Sequence, residues 1–148
     1  LWLSTGCDLG GGGGGGPETV VPGRRPLPAR ATPISDPVAR GKALYERMGC
    51  ALCHGEEGSG GVANPNSETG GKIVGLTLVK EGYSEAELVA KIGTGVPNVG
   101  RKDPGKAPPP LRMPAYATWL SEEERHDLAA YLFSLYPKDR ESEDDWDE

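Results

Sequence analysis

Histidine and methionine occur twice each in this chain of 148 residues, cysteine three times and phenylalanine once. So few metal-binding side chains leave little room for a structural metal site, because zinc sites of that kind need four ligands. Long apolar runs are also missing. No stretch approaches the roughly 18 to 20 residues that span a bilayer, so any membrane association must come from an anchor or a partner. Period-two alternation of apolar and polar residues is absent too, which points away from sheets and toward an all-α fold. There is no basic surplus to suggest nucleic-acid binding, since the net charge is −6. That negative charge is unevenly spread. Residues 138–148 hold seven acids against Lys138 and Arg140, and the rest of the chain is left nearly neutral. With 36% hydrophobic residues and a single Phe the core is thin. A small domain of this kind commonly needs a metal, a disulfide or a cofactor to complete it.

What is present is concentrated in five residues, Cys50-Ala51-Leu52-Cys53-His54. A bare CxxC suits a thioredoxin-like redox pair in a βαβ setting, or half of a zinc site with a second ligand pair. Neither setting exists here, because only Cys7 and His126 remain as further cysteine and histidine. CxxCH is instead the attachment signature of a c-type haem. Two thiols three positions apart add to the two vinyl groups of one porphyrin, and the adjoining imidazole binds the iron. The chain is therefore expected to carry one covalently bound haem c on Cys50 and Cys53, with His54 as an axial ligand.

Three helices are legible around this motif. Asp36-Pro37 is an N-cap followed by proline at the first helical position, and Val38, Gly41, Leu44, Tyr45 and Met48 recur at helical spacing. Ser84 to Glu87 forms a capping box before Leu88 and Ile92, with Gly93 and Gly95 at the far end. A second capping box, Ser121 to Glu124, opens a helix whose Leu128, Tyr131, Leu132 and Leu135 share one face before Pro137 stops it. The Gly- and Pro-rich stretches between them, about 55–82 and 94–120, are long enough to need a function. Wrapping a planar cofactor would supply one.

A second axial ligand has three candidates. Met48 lies two residues before Cys50 and reads as core, and His126 lies off the apolar stripe of its helix and reads as solvent-facing. Met113 precedes Pro114 and follows Pro108-Pro109-Pro110-Leu111-Arg112, so its loop is stiff and its own backbone is biased toward an extended form.

The ends read as tails. Leu1 to Gly6 looks like the remnant of a secretory signal running into Cys7. The pattern resembles a bacterial lipobox, with Leu3 one step further from the cysteine than usual and Ser4 in the customary leucine place. The charged start and most of the apolar segment of a signal are missing, so part of the N-terminus is expected to be lacking from the sequence. Lipidation is expected at Cys7. Residues 7–35 then form a Gly/Pro-rich tether with seven consecutive glycines, Gly10 to Gly16. Its flexible part, about 28 residues, would average roughly 30 Å end to end and reach roughly 90 Å when extended. The ordered domain is expected at 36–137, followed by an acidic, disordered tail at 138–148 that carries Trp146 as a contact for a partner or as a solubilising end.

In this order, helix one with Gly41 and Tyr45, CxxCH at 50–54, Pro65, Met113-Pro114-Ala115-Tyr116 and a closing helix with Leu128, Tyr131 and Leu132, residues 36–137 resemble a class I monohaem cytochrome c. The resemblance implies the cytochrome c fold: three or more helices wrapped around one haem, with disordered N- and C-terminal tails. It implies Met113 as the sixth iron ligand and a close crossing of the first and last helices, with Gly41 admitting Tyr131. It also implies that the carbonyl of Pro65 accepts the Nδ1 proton of His54 and orients the ring.

The function implied is that of a one-electron carrier between redox proteins, and not an enzyme. The alternatives are a fixed cytochrome c subunit of a respiratory or photosynthetic membrane complex and, further off, a haem enzyme or gas sensor with an open sixth site. Partners would be a redox donor and acceptor, with no small-molecule substrate. A surplus of three positive charges, from Arg101, Lys102, Lys106 and Arg112 against Asp103, would meet an acidic partner surface. Covalent haem and the export-like start place the domain on the periplasmic side of the cytoplasmic membrane, lipid-anchored at Cys7. Asp8 matches the place of an inner-membrane retention residue in some Gram-negative lipoproteins.

Overall fold

A proline at the first helical position needs no N–H, and the aspartate before it satisfies another free donor. Asp36 accepts from Ala39 N at 2.9 Å, and helix α1 runs over Pro37–Arg47. The computed structural model describes residues 33–141, and the expected signal remnant, Cys7, the tether as far as residue 32, and Trp146 lie outside them. Five further helices follow α1: α2 (Cys50–His54), α3 (Val79–Gly82), α4 (Glu85–Thr94), α5 (Glu122–Ser134) and α6 (Lys138–Glu141). Both capping boxes form. Ser84 and Ser121 each accept from the amide three residues on, and Glu87 and Glu124 reach back to the N-cap amide. Among the described residues there are no strands, only three isolated bridges: Ala63 with Lys72, Ser67 with Arg101, and Val96 with Met113. The fold is all-α, as expected, and none of the described helices is long and apolar enough to cross a membrane.

The core is a single cluster of Leu44 and Tyr45 from α1, Leu88, Val89 and Ile92 from α4, and Leu128, Ala129, Tyr131 and Leu132 from α5, closed by Leu120. Gly41 is where α1 meets α5. A Cβ placed there would run into the carbonyl of Asp127 and lie 2.7 Å from the Cβ of Tyr131. Glycine is thus required by backbone contact, and it outweighs the helix propensity it costs, about 1 kcal/mol relative to alanine. Two further contacts fix the crossing. The Arg40 guanidinium grips the buried Asp127 carboxylate with two bonds of 2.7 Å. The rings of Tyr45 and Tyr131 meet edge to face at 5.5 Å.

Tyr45 is 2% exposed, and its hydroxyl donates to the Gly55 carbonyl at 2.7 Å, tying α1 to the end of α2. Burial pushes its pKa from 10.0 up to about 12. The unfolded chain therefore releases this proton first as pH rises. Stability from the neutral hydroxyl is complete below about pH 10 and is lost progressively toward pH 12. Urea unfolding at pH 9 and pH 11 should show a drop in the midpoint that is smaller in Tyr45→Phe than in the parent; an equal drop would place the alkaline sensitivity elsewhere.

The acidic tail expected from residue 138 begins in a different state. Residues Lys138–Glu141 are helical, and Arg140 donates to Glu81 of α3 at 2.7 Å. Glu81 also accepts from the Tyr136 hydroxyl at 2.9 Å, and Lys80 lies over the Tyr136 ring. Composition reported the acids of this segment but not the partner that Glu81 of α3 offers Arg140. The anchor is modest, since the pair is exposed and screened by solvent.

Candidate haem site

Gly49 ends the first helical run in a left-handed conformation (φ 73°), and the chain turns at once into α2, the five residues of CxxCH. One helical turn puts Cys50, Cys53 and His54 on the inner side of α2, all part-buried, while Leu52 between the cysteines is 81% exposed. Both thiols are free. The loop after α2 then folds back under it. Gly60 N donates to His54 O at 2.6 Å, Gly61 N to Ile73 O at 2.9 Å, Ile73 N to Val62 O at 2.8 Å and Leu76 N to Gly58 O at 2.7 Å. This return brings Val74 back beside His54.

From the other side comes the Met113 segment. Val96 N donates to Met113 O at 2.9 Å, just after Gly95, whose positive φ of 65° allows the close approach to the Met113 and Pro114 carbonyls. Cys50, Cys53, His54, Val74, Val96, Met113 and Tyr116 all line one cavity of about 220 Å³. A neighbouring cavity of about 180 Å³ reaches from His54, Val74 and Met113 to the core side chains Leu88, Leu128 and Leu132. Cys50, Cys53, His54 and Met113 therefore share one largely apolar space with Ile73, Val74, Val96, Val99 and Leu111.

The electrostatics suit a neutral donor set. Burial lowers the His54 pKa, opposed by the backbone of Val74, so the imidazole is neutral and keeps a lone pair near pH 7. Burial likewise raises the Cys50 thiol, and raises the Tyr116 hydroxyl with a smaller push from Cys50 and Cys53. His54 Nδ1 is buried with no hydrogen-bond partner. Leaving such a group unpaired costs about 1 to 3 kcal/mol.

The structure does not pair the Pro65 carbonyl with His54. Pro65 is exposed and lines a separate cleft with Asn66, Ser67, Lys102 and Lys106. His54 Nδ1 finds no acceptor there, and the backbone acting on the ring is that of Val74. The other axial candidates are placed as read. Met48 packs against the core, and His126 is exposed and bound to Glu85 at 2.6 Å, between α5 and α4.

The basic loop divides. Arg112 lines the cavity of Cys50, Cys53 and His54, Lys102 and Lys106 line the Pro65 cleft, and Lys106 is paired with Asp103 at 3.6 Å. Asparagine was missed altogether. Asn64 is 3% exposed, lines the cavity and bonds the Leu111 backbone. Its one sequence signal is its place in Asn64-Pro65-Asn66, shortly after the haem motif.

Comparison with known proteins bears on the same region, since the family described as Cytochrome c matches residues 38–136. The chain belongs to the cytochrome c family. Membership implies covalently bound haem c, and the residues present fit it: two free thiols one helical turn apart, a buried neutral imidazole with an unpartnered nitrogen, and an apolar cavity beside them. None of the curated proteins compared with the chain matches it. Among solved structures it is similar to a chain of the Kuenenia stuttgartiensis reducing HAO-like protein complex Kustc0457/Kustc0458. The identity is 30% over 76% of this cytochrome and 48% of that chain, with a TM-score of 0.48. The cytochrome thus spans about half the length of that chain.

Proposed function

We propose that this cytochrome is a one-electron carrier with a closed His54/Met113 centre, passing electrons between redox proteins outside the cytoplasmic membrane. The observation that carries it is the convergence of Cys50, Cys53, His54 and Met113 on one apolar cavity. Bound haem would supply reversible Fe(III)/Fe(II) exchange. The protein's part is to hold and tune it. Cys50 and Cys53 would form the thioether links, and the neutral His54 imidazole and the Met113 thioether would both bind the iron, leaving it no place for a substrate. A thioether ligand favours the reduced state relative to a second imidazole, and the apolar wall raises the cost of the extra charge on Fe(III). Arg112, exposed at the cavity, contributes positive charge for an acidic partner.

Lipid on Cys7 would hold the domain at the periplasmic side of the cytoplasmic membrane, a reading that the signal-like start of the sequence and its lipobox-like run into Cys7 support. The tether favours a shuttle over a fixed subunit. One experiment tests the centre: the protein expressed with a cytochrome c maturation system is denatured and stained for haem on a gel, then titrated potentiometrically. One covalent haem per chain, lost in Cys50→Ala/Cys53→Ala, and a single one-electron Nernst wave are expected. Haem that leaves the denatured wild type, or a wave that does not fit one electron, would sink the proposal.

A further inference from the structure

We propose that Asn64 is the positioning residue that holds the Met113 segment against the cavity wall. This rests on the reading of Met113 as the axial ligand. The segment has an unusual handicap: Pro108, Pro109 and Pro110 have no N–H, so three residues in succession cannot pair with a neighbouring backbone as donors. The first donor after them is the amide of Leu111, two residues before Met113. It goes to Asn64 Oδ1 at 3.0 Å, while Asn64 Nδ2 donates to Leu111 O at 3.1 Å.

One side chain thereby offers Leu111 the donor and acceptor that an adjoining strand would have given. Asn64 is itself fixed from behind by its own amide, which donates to Gly71 O at 2.8 Å. At 3% exposure, water does not readily compete for these bonds. Asn66 repeats the device upstream of the prolines. Its amide bonds both backbone groups of Asp103, at 2.9 Å each, and the Ala107 carbonyl at 2.8 Å. Only Asn64 lines the cavity of His54 and Met113. With Val96 holding Met113 O from the far side, the thioether-bearing stretch is pinned at two points, and Asn64 supplies the one made by a side chain.

The test uses the holoprotein with Asn64→Leu and Asn64→Asp, the latter keeping an acceptor for the Leu111 amide. Two readouts are taken: hydrogen exchange of the Leu111 amide in the ferrous protein, and the weak long-wavelength charge-transfer band of methionine sulfur on Fe(III). In Asn64→Leu the Leu111 amide should exchange roughly 10 to 100 times faster, the range that two net hydrogen bonds support. The band should fade and ferrous protein should bind carbon monoxide, with covalent haem and helix content unchanged. Asn64→Asp should fall between, and it carries the test alone if the leucine variant does not fold. Unchanged exchange overturns the proposal, as does faster exchange with the band intact. The two readings fail separately: a wild type without the band, but with Leu111 protection that depends on Asn64, would sink the Met113 ligation and leave the positioning of the segment standing.

Discussion

Met113→Ala is expected to abolish the long-wavelength charge-transfer band of the ferric protein, lower its reduction potential and open the ferrous protein to carbon monoxide. Each effect has its own cause. The band belongs to the sulfur–iron bond, so it cannot survive loss of the sulfur. The potential falls because the thioether stabilises Fe(II), and axial ligands as a class move haem potentials over roughly 0.8 V. Carbon monoxide should bind because loss of the thioether leaves the iron without that ligand, in a cavity whose wall is chiefly apolar, with Val96, Val99 and Leu111. No nearby donor replaces the thioether, since His126 is bound to Glu85 between α4 and α5 and Met48 packs into the core. The protein should still fold, because Met113 is part-exposed and the main-chain bond from Val96 does not need its side chain. A wild type that already binds carbon monoxide at neutral pH would instead favour the open-site reading.

Gly41→Val should be the most damaging substitution in the helical frame, costing about 3 kcal/mol or more. Any Cβ at this position meets the Asp127 carbonyl, which is backbone and has no rotamer to yield, as well as the Tyr131 Cβ 2.7 Å away. To admit valine, α1 and α5 must separate. That loosens the edge-to-face contact of Tyr45 with Tyr131 and the paired bonds of Arg40 with Asp127. For a domain of this size the midpoint of thermal unfolding should fall by roughly 10 to 20 °C. Gly82→Ala is the control, since nothing lies within 4 Å of a Cβ there, and it should move the midpoint little. Equal shifts in the two variants would remove the argument that Gly41 is a contact glycine.

Much of this protein was readable from local chemistry. An N-cap aspartate before proline and two capping boxes mark helix starts by satisfying free amides within a few residues of chain, so α1, α4 and α5 begin where the sequence puts them. CxxCH carries its chemistry in its own spacing, because one helical turn is enough to bring two thiols and an imidazole to one side. Gly41 and Tyr131 were legible as a pair only through resemblance to the family, and the contact between them is now explicit.

What tertiary structure alone decided are the pairings between distant segments. Val74 beside His54 and Asn64 on Leu111 depend on a loop returning across the domain, and main-chain oxygens and amides leave no mark in a sequence. Arg140 on Glu81 turned the start of an acidic tail into a held helix for the same reason. Helix caps and the spacing of CxxCH act over a few residues and so are written locally, whereas the contacts of Asn64 with Leu111 and of Arg140 with Glu81 join residues far apart in the chain and exist only once it has folded.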